Sequence, residues 1–235
     1  MPDELESFMD TMWEDIEAGV TAGLAASADH RIDTVVDVSI PSAGTPYRVT
    51  TGWGPARKAG RATLRQLTVD VTDRALRYRA THGLDLAHGA TSDRDSLRDT
   101  ALRFGRDTAR DETAAVLDLL HRSRPRRAKA PSLTPAAVQA AARRLGGGCR
   151  LVTSGQDGKK LVDHAQVAEH AVLPRSAMPR DVSGVLVATL AGGPRIERLG
   201  GSLALTWART GSRTAELALT SDFFLHRPGA SAFFV

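Results

Sequence analysis

Cys149 and seven histidines are the residues from which a thiol-dependent enzyme would have to be built, because a thiolate needs a neighbouring imidazole or cation to react at neutral pH. Cys149 opens the apolar run CRLVT, however, and a cysteine at the head of a buried strand behaves as an inert small hydrophobe. A metal centre would draw on Asp163, His164, Glu169 and His170. The two histidines are six apart, a spacing that does not stack them on one helix face as i,i+4 ligands are stacked. Gly146, Gly147 and Gly148 precede a strand rather than a helix, so no helix N-terminus stands ready for phosphate, and no Walker lysine follows. No Gly-x-Ser-x-Gly elbow occurs. The sequence thus presents no catalytic, cofactor-binding or metal-ligating set, and it predicts a protein that is not an enzyme.

The chemistry that the residues do offer is ionic. The tract HRSRPRRAKAP, residues 121–131, gathers Arg122, Arg124, Arg126, Arg127 and Lys129 beside His121. Its prolines keep the backbone extended, and guanidinium forks match phosphate oxygens, so these are the candidate nucleic-acid-facing residues. The alternative is a solvated linker between subdomains, since no aromatic residue interleaves to stack bases. Charge is also split along the chain. Residues 1–30 hold eight carboxylates and no lysine or arginine, so all 31 bases stand in the remainder against nineteen acids. A basic body of this kind binds polyanions through counterion release, or binds acidic segments of itself or of neighbouring copies.

A second tract asks for a surface. In YRVTTGWGPARKAGRATLRQLTVDV, residues 47–71, Tyr47, Val49, Thr51 and Trp53 alternate, as do Leu67, Val69 and Val71. Between the two runs lie Gly54, Pro55, Arg57, Lys58, Gly60 and Arg61. This reads as a long two-stranded arm with a tip that has nothing apolar to hold it down. An isolated hairpin is marginal in water, so the arm lies either on its own domain or on another copy of the chain. Trp53, Arg57, Lys58 and Arg61 are the candidate contacts between subunits.

The elements that must position these tracts are legible from periodicity. Leu5, Phe8, Met9, Met12, Ile16 and Val20 recur at helical spacing, which predicts an amphipathic helix over residues 3–24 with an acidic outer face. Its apolar stripe must dock on the body, on a partner chain or on a cargo. Residues 31–38 read as a short strand, and residues 72–93 as a connecting stretch with turn signals at His82-Gly83 and at HGATSD. Ser92 or Asp93 then caps a long helix through Leu120, with Leu97, Ala101, Phe104, Thr108, Ala115 or Val116, and Leu119 facing inward. Such a helix is a strut across a flat domain or part of a coiled coil; Ala101, Gly105 and Ala109 weaken the heptad reading. Thr134 and Pro135 start a short helix that the three glycines stop. Residues 149–153, 184–190, 202–209, 214–220 and 230–235 read as strands, with a turn and short helix over 156–170. Helices mixed with a largely antiparallel sheet give an α+β fold.

Length and composition agree with this picture. A chain of 235 residues with 25% charged and 42% hydrophobic residues is that of a soluble folded protein, and no run approaches a membrane span. The acidic N-terminus is unlike a secretory signal, and a single cysteine excludes an internal disulfide, so a reducing cytoplasm is the expected compartment.

This order of elements resembles the major capsid protein fold of tailed phages, the Hong Kong 97 type, which encapsulin shell proteins share. The resemblance spans nearly the whole chain and is carried by the arm RVTTGWGPARKAGRATLRQLTVDV, the helix SLRDTALRFGRDTARDETAAVLDLL, and the ending from GVLVATL through ASAFFV. It implies an N-terminal arm over 1–42, an extended hairpin loop over 43–72, and a peripheral domain over 73–131 with a spine helix at 91–122. An axial domain over 132–200 and C-terminal strands over 201–235 that return to the core complete the set. The implied function is assembly: identical subunits close an icosahedral shell through heterologous interfaces, with no cofactor, membrane or small-molecule substrate. The implied location is a virion capsid assembled in the host cytoplasm, with the chain itself and packaged DNA as partners. An encapsulin-type shell around protein cargo is one alternative, and a basic nucleic-acid-binding protein is the other.

Overall fold

The computed structural model describes residues 4–26, 63–71, 75–87, 93–122, 132–155, 161, 167, 169–175, 178–188, 194–226 and 231–235. Its helices are α1 (Glu4–Ala25), α2 (Arg94–Arg122) and α3 (Pro135–Arg144). Its strands are β1 (Thr63–Val71), β2 (Ala75–Ala87), β3 (Cys149–Thr153), β4 (Glu169–Val172), β5 (Gly184–Ala188), β6 (Arg195–Arg209), β7 (Thr214–His226) and β8 (Ser231–Phe234). They form two four-stranded sheets, ordered β1-β2-β7-β6 and β4-β3-β5-β8. Among the described residues every pairing is antiparallel except β3 with β4, so the α+β expectation holds.

The short sheet is covered on both faces because its strands alternate between two apolar partners. Val152, Val185, Val187 and Phe233 turn toward α2, in one cluster with Val116, Leu117 and Leu120. Cys149, Leu151, Leu186 and Phe234 turn the other way, toward Val138 of α3. Local signals set α3 as the sequence implies. The Thr134 hydroxyl accepts the Ala137 N–H at 3.3 Å, Pro135 opens the first turn, and Gly146 at φ 87° and Gly147 at φ 80° end it in backbone that only glycine adopts readily.

The long sheet corrects one expectation. Residues 72–93 read as a connector with a turn at His82-Gly83, yet thirteen of them form β2, which pairs with β7 without a break from Ala75↔His226 to Ala87↔Thr214. Gly83 stands opposite Thr63 on one side and Ala218 on the other. Hydrogen bonds to both neighbours hold a residue that by itself favours a bend, a case of tertiary context overriding propensity. Thr63–Val71, the second half of the expected arm, takes β2 as its partner; the first half, residues 47–53, lies outside the described residues, as does the expected strand at 31–38.

Helix α2 joins the two halves of the core. At 29 residues it runs about 43 Å at 1.5 Å per residue. Its N-terminal part buries Leu97, Ala101 and Phe104 with Leu84, Leu205, Trp207 and Leu217 of the long sheet, and its C-terminal part enters the cluster shared with the short sheet. The strut reading of this helix is therefore the one the fold adopts. No helix among the described residues is long and apolar enough to cross a membrane.

Candidate assembly surface

Helix α1 docks on the body of its own chain. Leu5, Met9, Trp13, Ile16, Val20 and Leu24, at helical spacing, are buried with α2 and the long sheet. Asp15 meets Arg94 at 2.7 Å, Gly19 lies against Arg98 and Ala101, and Gly23 against Leu102 and Arg106. Both series ascend together, so the two helices run parallel.

Their contact is backbone to backbone. A Cβ on Gly19 would stand 2.8 Å from both the Arg98 carbonyl oxygen and the Ala101 methyl. One on Gly23 would collide with the Leu102 carbonyl oxygen, and one on Gly105 with the Val20 carbonyl oxygen. The spacing Gly19-x-x-x-Gly23 against Ala101-x-x-x-Gly105 is the small-residue pattern that lets helices approach closely. The small residues that argue against a coiled coil are thus the ones that admit α1. This pattern stands in the sequence as a legible signal for the seam, one that the heptad reading of α2 passes over.

Where α1 ends, α2 continues, and a notch of about 390 Å³ opens between them and the short sheet. Ala26, Ala109, Val172, Leu173 and Pro174 give it an apolar lining, and Arg106 and Arg110 line it with charge. Val172 on its rim is 38% exposed. Arg110 is half exposed and lies 3.6 Å from Asp107. The outer face of α1 carries exposed Glu4, Glu6, Asp10 and Glu14, with no base on the helix. A docked acidic helix and a cationic notch therefore stand at opposite ends of one rod.

The tracts singled out from the sequence fall largely elsewhere. Arg122 is the last residue of α2; Arg124, Arg126, Arg127 and Lys129 lie outside the described residues, as do Trp53, Arg57, Lys58 and Arg61. Of the tempting metal set, Glu169 and His170 lie on β4, where His170 Nε2 is 3.0 Å from the Thr153 hydroxyl. That hydroxyl donates to the Gly155 carbonyl at 2.7 Å, so it accepts from an Nε2–H of the imidazole. Asp163 and His164 are outside the described residues. No group of three His, Cys, Asp or Glu side chains among the described residues could hold a metal. Cys149 is 2% exposed, and burial pushes its thiol up from the ordinary value, which keeps it protonated and unreactive.

Among the buried polar groups of the described residues, His82 stands out because both of its ring nitrogens lack a hydrogen bond. It is fully buried on the inner side of β2, between Ala80 and Leu84. The Asp111 carboxylate comes within 3.5 Å of Nε2, close enough for attraction but not placed as an acceptor. The Thr108 hydroxyl, one turn before Asp111 on α2, is buried without a partner as well. These groups separate the apolar cluster around α1 from that around the short sheet.

No protein-family model and no curated protein matches the chain. Among solved structures it is similar to the virus-like particle from Pyrococcus furiosus, with a TM-score of 0.51 at 11% sequence identity, over 94% of this chain and 98% of that one. At such identity the likeness is one of fold: the α+β arrangement of this chain is similar to that of the virus-like-particle chain.

Proposed function

We propose that this chain is a structural, self-assembling shell subunit of the Hong Kong 97 type, the major capsid protein of a tailed virus or virus-derived particle that encloses nucleic acid. The likeness to a virus-like-particle chain over nearly its full length is the observation that carries the reading. Identical copies close an icosahedral shell through heterologous contacts, in which one patch meets a different patch on the next copy. Helix α2, shared by both halves of the core, takes the part of the spine that keeps the subunit rigid. The basic excess outside residues 1–30 supports nucleic acid as the content, through counterion release. On this reading the protein works by assembly and not by catalysis, in a virion capsid built in the host cytoplasm.

Size-exclusion chromatography with negative-stain imaging tests it. A shell protein elutes at megadalton size and shows closed particles; a discrete species near the 25.1 kDa of one chain, with no particles in any fraction, sinks the proposal. Absorbance of intact particles at 260 and 280 nm then separates nucleic acid from protein content, the second outcome favouring an encapsulin-type shell. A small species whose nucleic-acid affinity falls steeply with salt favours a basic nucleic-acid-binding protein.

A further inference from the structure

We propose that the acidic stripe of α1 in one copy seats against the arginine notch at the far end of α1 in the next copy. The inference rests on the shell reading and names one contact that builds it. Glu6, Asp10 and Glu14 follow one another at four-residue spacing and are all exposed; they form a ladder on the outer face of α1. Arg106 and Arg110 stand at the same spacing on α2 and line the notch. Residues four apart on a helix lie about 5–6 Å from each other, so the two ladders have a common pitch and opposite sign.

The notch is too small for a helix body, which is about 10–12 Å across with its side chains. Side chains alone enter it. Carboxylates from a helix lying across the rim would reach the two guanidiniums, while the apolar Val172 and Pro174 sit beneath the stem of the same ladder. Asp107, beside Arg110, is the acid already present, and it leaves Arg106 as the stronger attraction. A neighbouring copy is the occupant that the charges favour, because its α1 carries Glu4, Glu6, Asp10, Glu14, Asp15 and Glu17 without a base. Geometry favours it too. Asp10 and the notch end of α1 are sixteen residues apart, about 24 Å along the helix, so one rod cannot satisfy its own notch. Acid at one end and arginine at the other give a head-to-tail contact, the heterologous type that closes rings.

Charge reversal tests the pairing. Arg106→Glu with Arg110→Glu, and separately Glu6→Arg with Asp10→Arg, should each abolish particles in negative stain while the far-UV spectrum and thermal midpoint of the subunit stay near wild type. All four changes in one chain should restore particles. A second measurement does not depend on assembly yield: Asp10→Cys with Arg110→Cys in a Cys149→Ser background, oxidised and run without reductant, should give a ladder of linked subunits. A disulfide within one chain is excluded, since its Cα atoms must lie within about 7 Å. Particles that form normally in both reversed variants, or that form without a ladder, overturn this contact and leave the shell reading standing. A wild-type chain that makes no particles overturns the shell reading, and the ladder then decides the contact by itself.

Discussion

Gly23 and Gly105 occupy reciprocal places across the α1–α2 seam, each facing a carbonyl oxygen of the opposite helix where a side chain would stand. Alanine in place of a helical glycine ordinarily stabilises by about 1 kcal/mol. Here Gly105→Ala should destabilise by about 1–3 kcal/mol, the usual cost of overpacking a filled site. Denaturant unfolding of the dissociated subunit checks the sign, with Ser7→Ala on the exposed face of α1 as control. A rise in midpoint for Gly105→Ala would mean that the helices slide apart at no cost.

His82→Leu should raise stability by about 1 kcal/mol, contrary to the usual effect of a core substitution. The imidazole is buried with both nitrogens unsatisfied, a condition that costs about 1–3 kcal/mol for each lost partner. Leucine fits between Ala80 and Leu84, and Asp111, half exposed, returns to water. A fall of more than 1 kcal/mol in the unfolding free energy would show that the attraction to Asp111 outweighs the desolvation.

Cys149 should resist alkylation in the native state and react once denaturant opens the fold. Burial raises its titration above that of an exposed thiol, so the folded state holds its proton at pH values where the unfolded chain has released it. The sign follows from linkage: this contribution is fully present below the unfolded value and is lost as pH rises above it. Alkaline titration of wild type against Cys149→Ala should show the difference only on the basic side.

Deleting Gly54 to Gly60 should leave a folded subunit and impair particle formation. The prediction comes from the alternation on either side of that tip in the sequence, and equal particle yields with and without it would make the tip a local turn.

Replacing Arg124, Arg126, Arg127 and Lys129 with glutamine should lower the 260 to 280 nm absorbance ratio of purified particles if the tract faces nucleic acid. An unchanged ratio would assign it to a solvated linker.

What the sequence disclosed depended on how local the cause was. Thr134, Pro135 and Gly146 act within a few residues of themselves, so α3 and its ends were readable, as was the buried strand from Cys149 to Thr153. The stripe of α1 is readable, and the small-residue spacings at Gly19, Gly23, Ala101 and Gly105 mark a seam, but nothing local pairs the two, because Gly105 meets Val20 across 85 positions of chain. Strand β2 resembles a connector in sequence because His82-Gly83 looks like a turn until β1 and β7 flank it. The notch had no signature at all: Ala26, Arg106 and Val172 come from three separate elements, and only packing brings them together.

The pairing of Ala87 with Thr214 and the burial of Leu5 and Met9 in the same cluster as Leu217 and Trp207 also order events in time. A ribosome adding about 5–20 residues per second releases α1 many seconds before the β6–β7 hairpin that covers it exists. Helix α2, complete at Arg122, covers part of the α1 stripe first, and the rest of that stripe waits for Leu205, Trp207 and Leu217 of the later hairpin. The seam between α1 and α2 can therefore form well before the sheet that shares its core, which makes the two helices an early pair and the long sheet a late one.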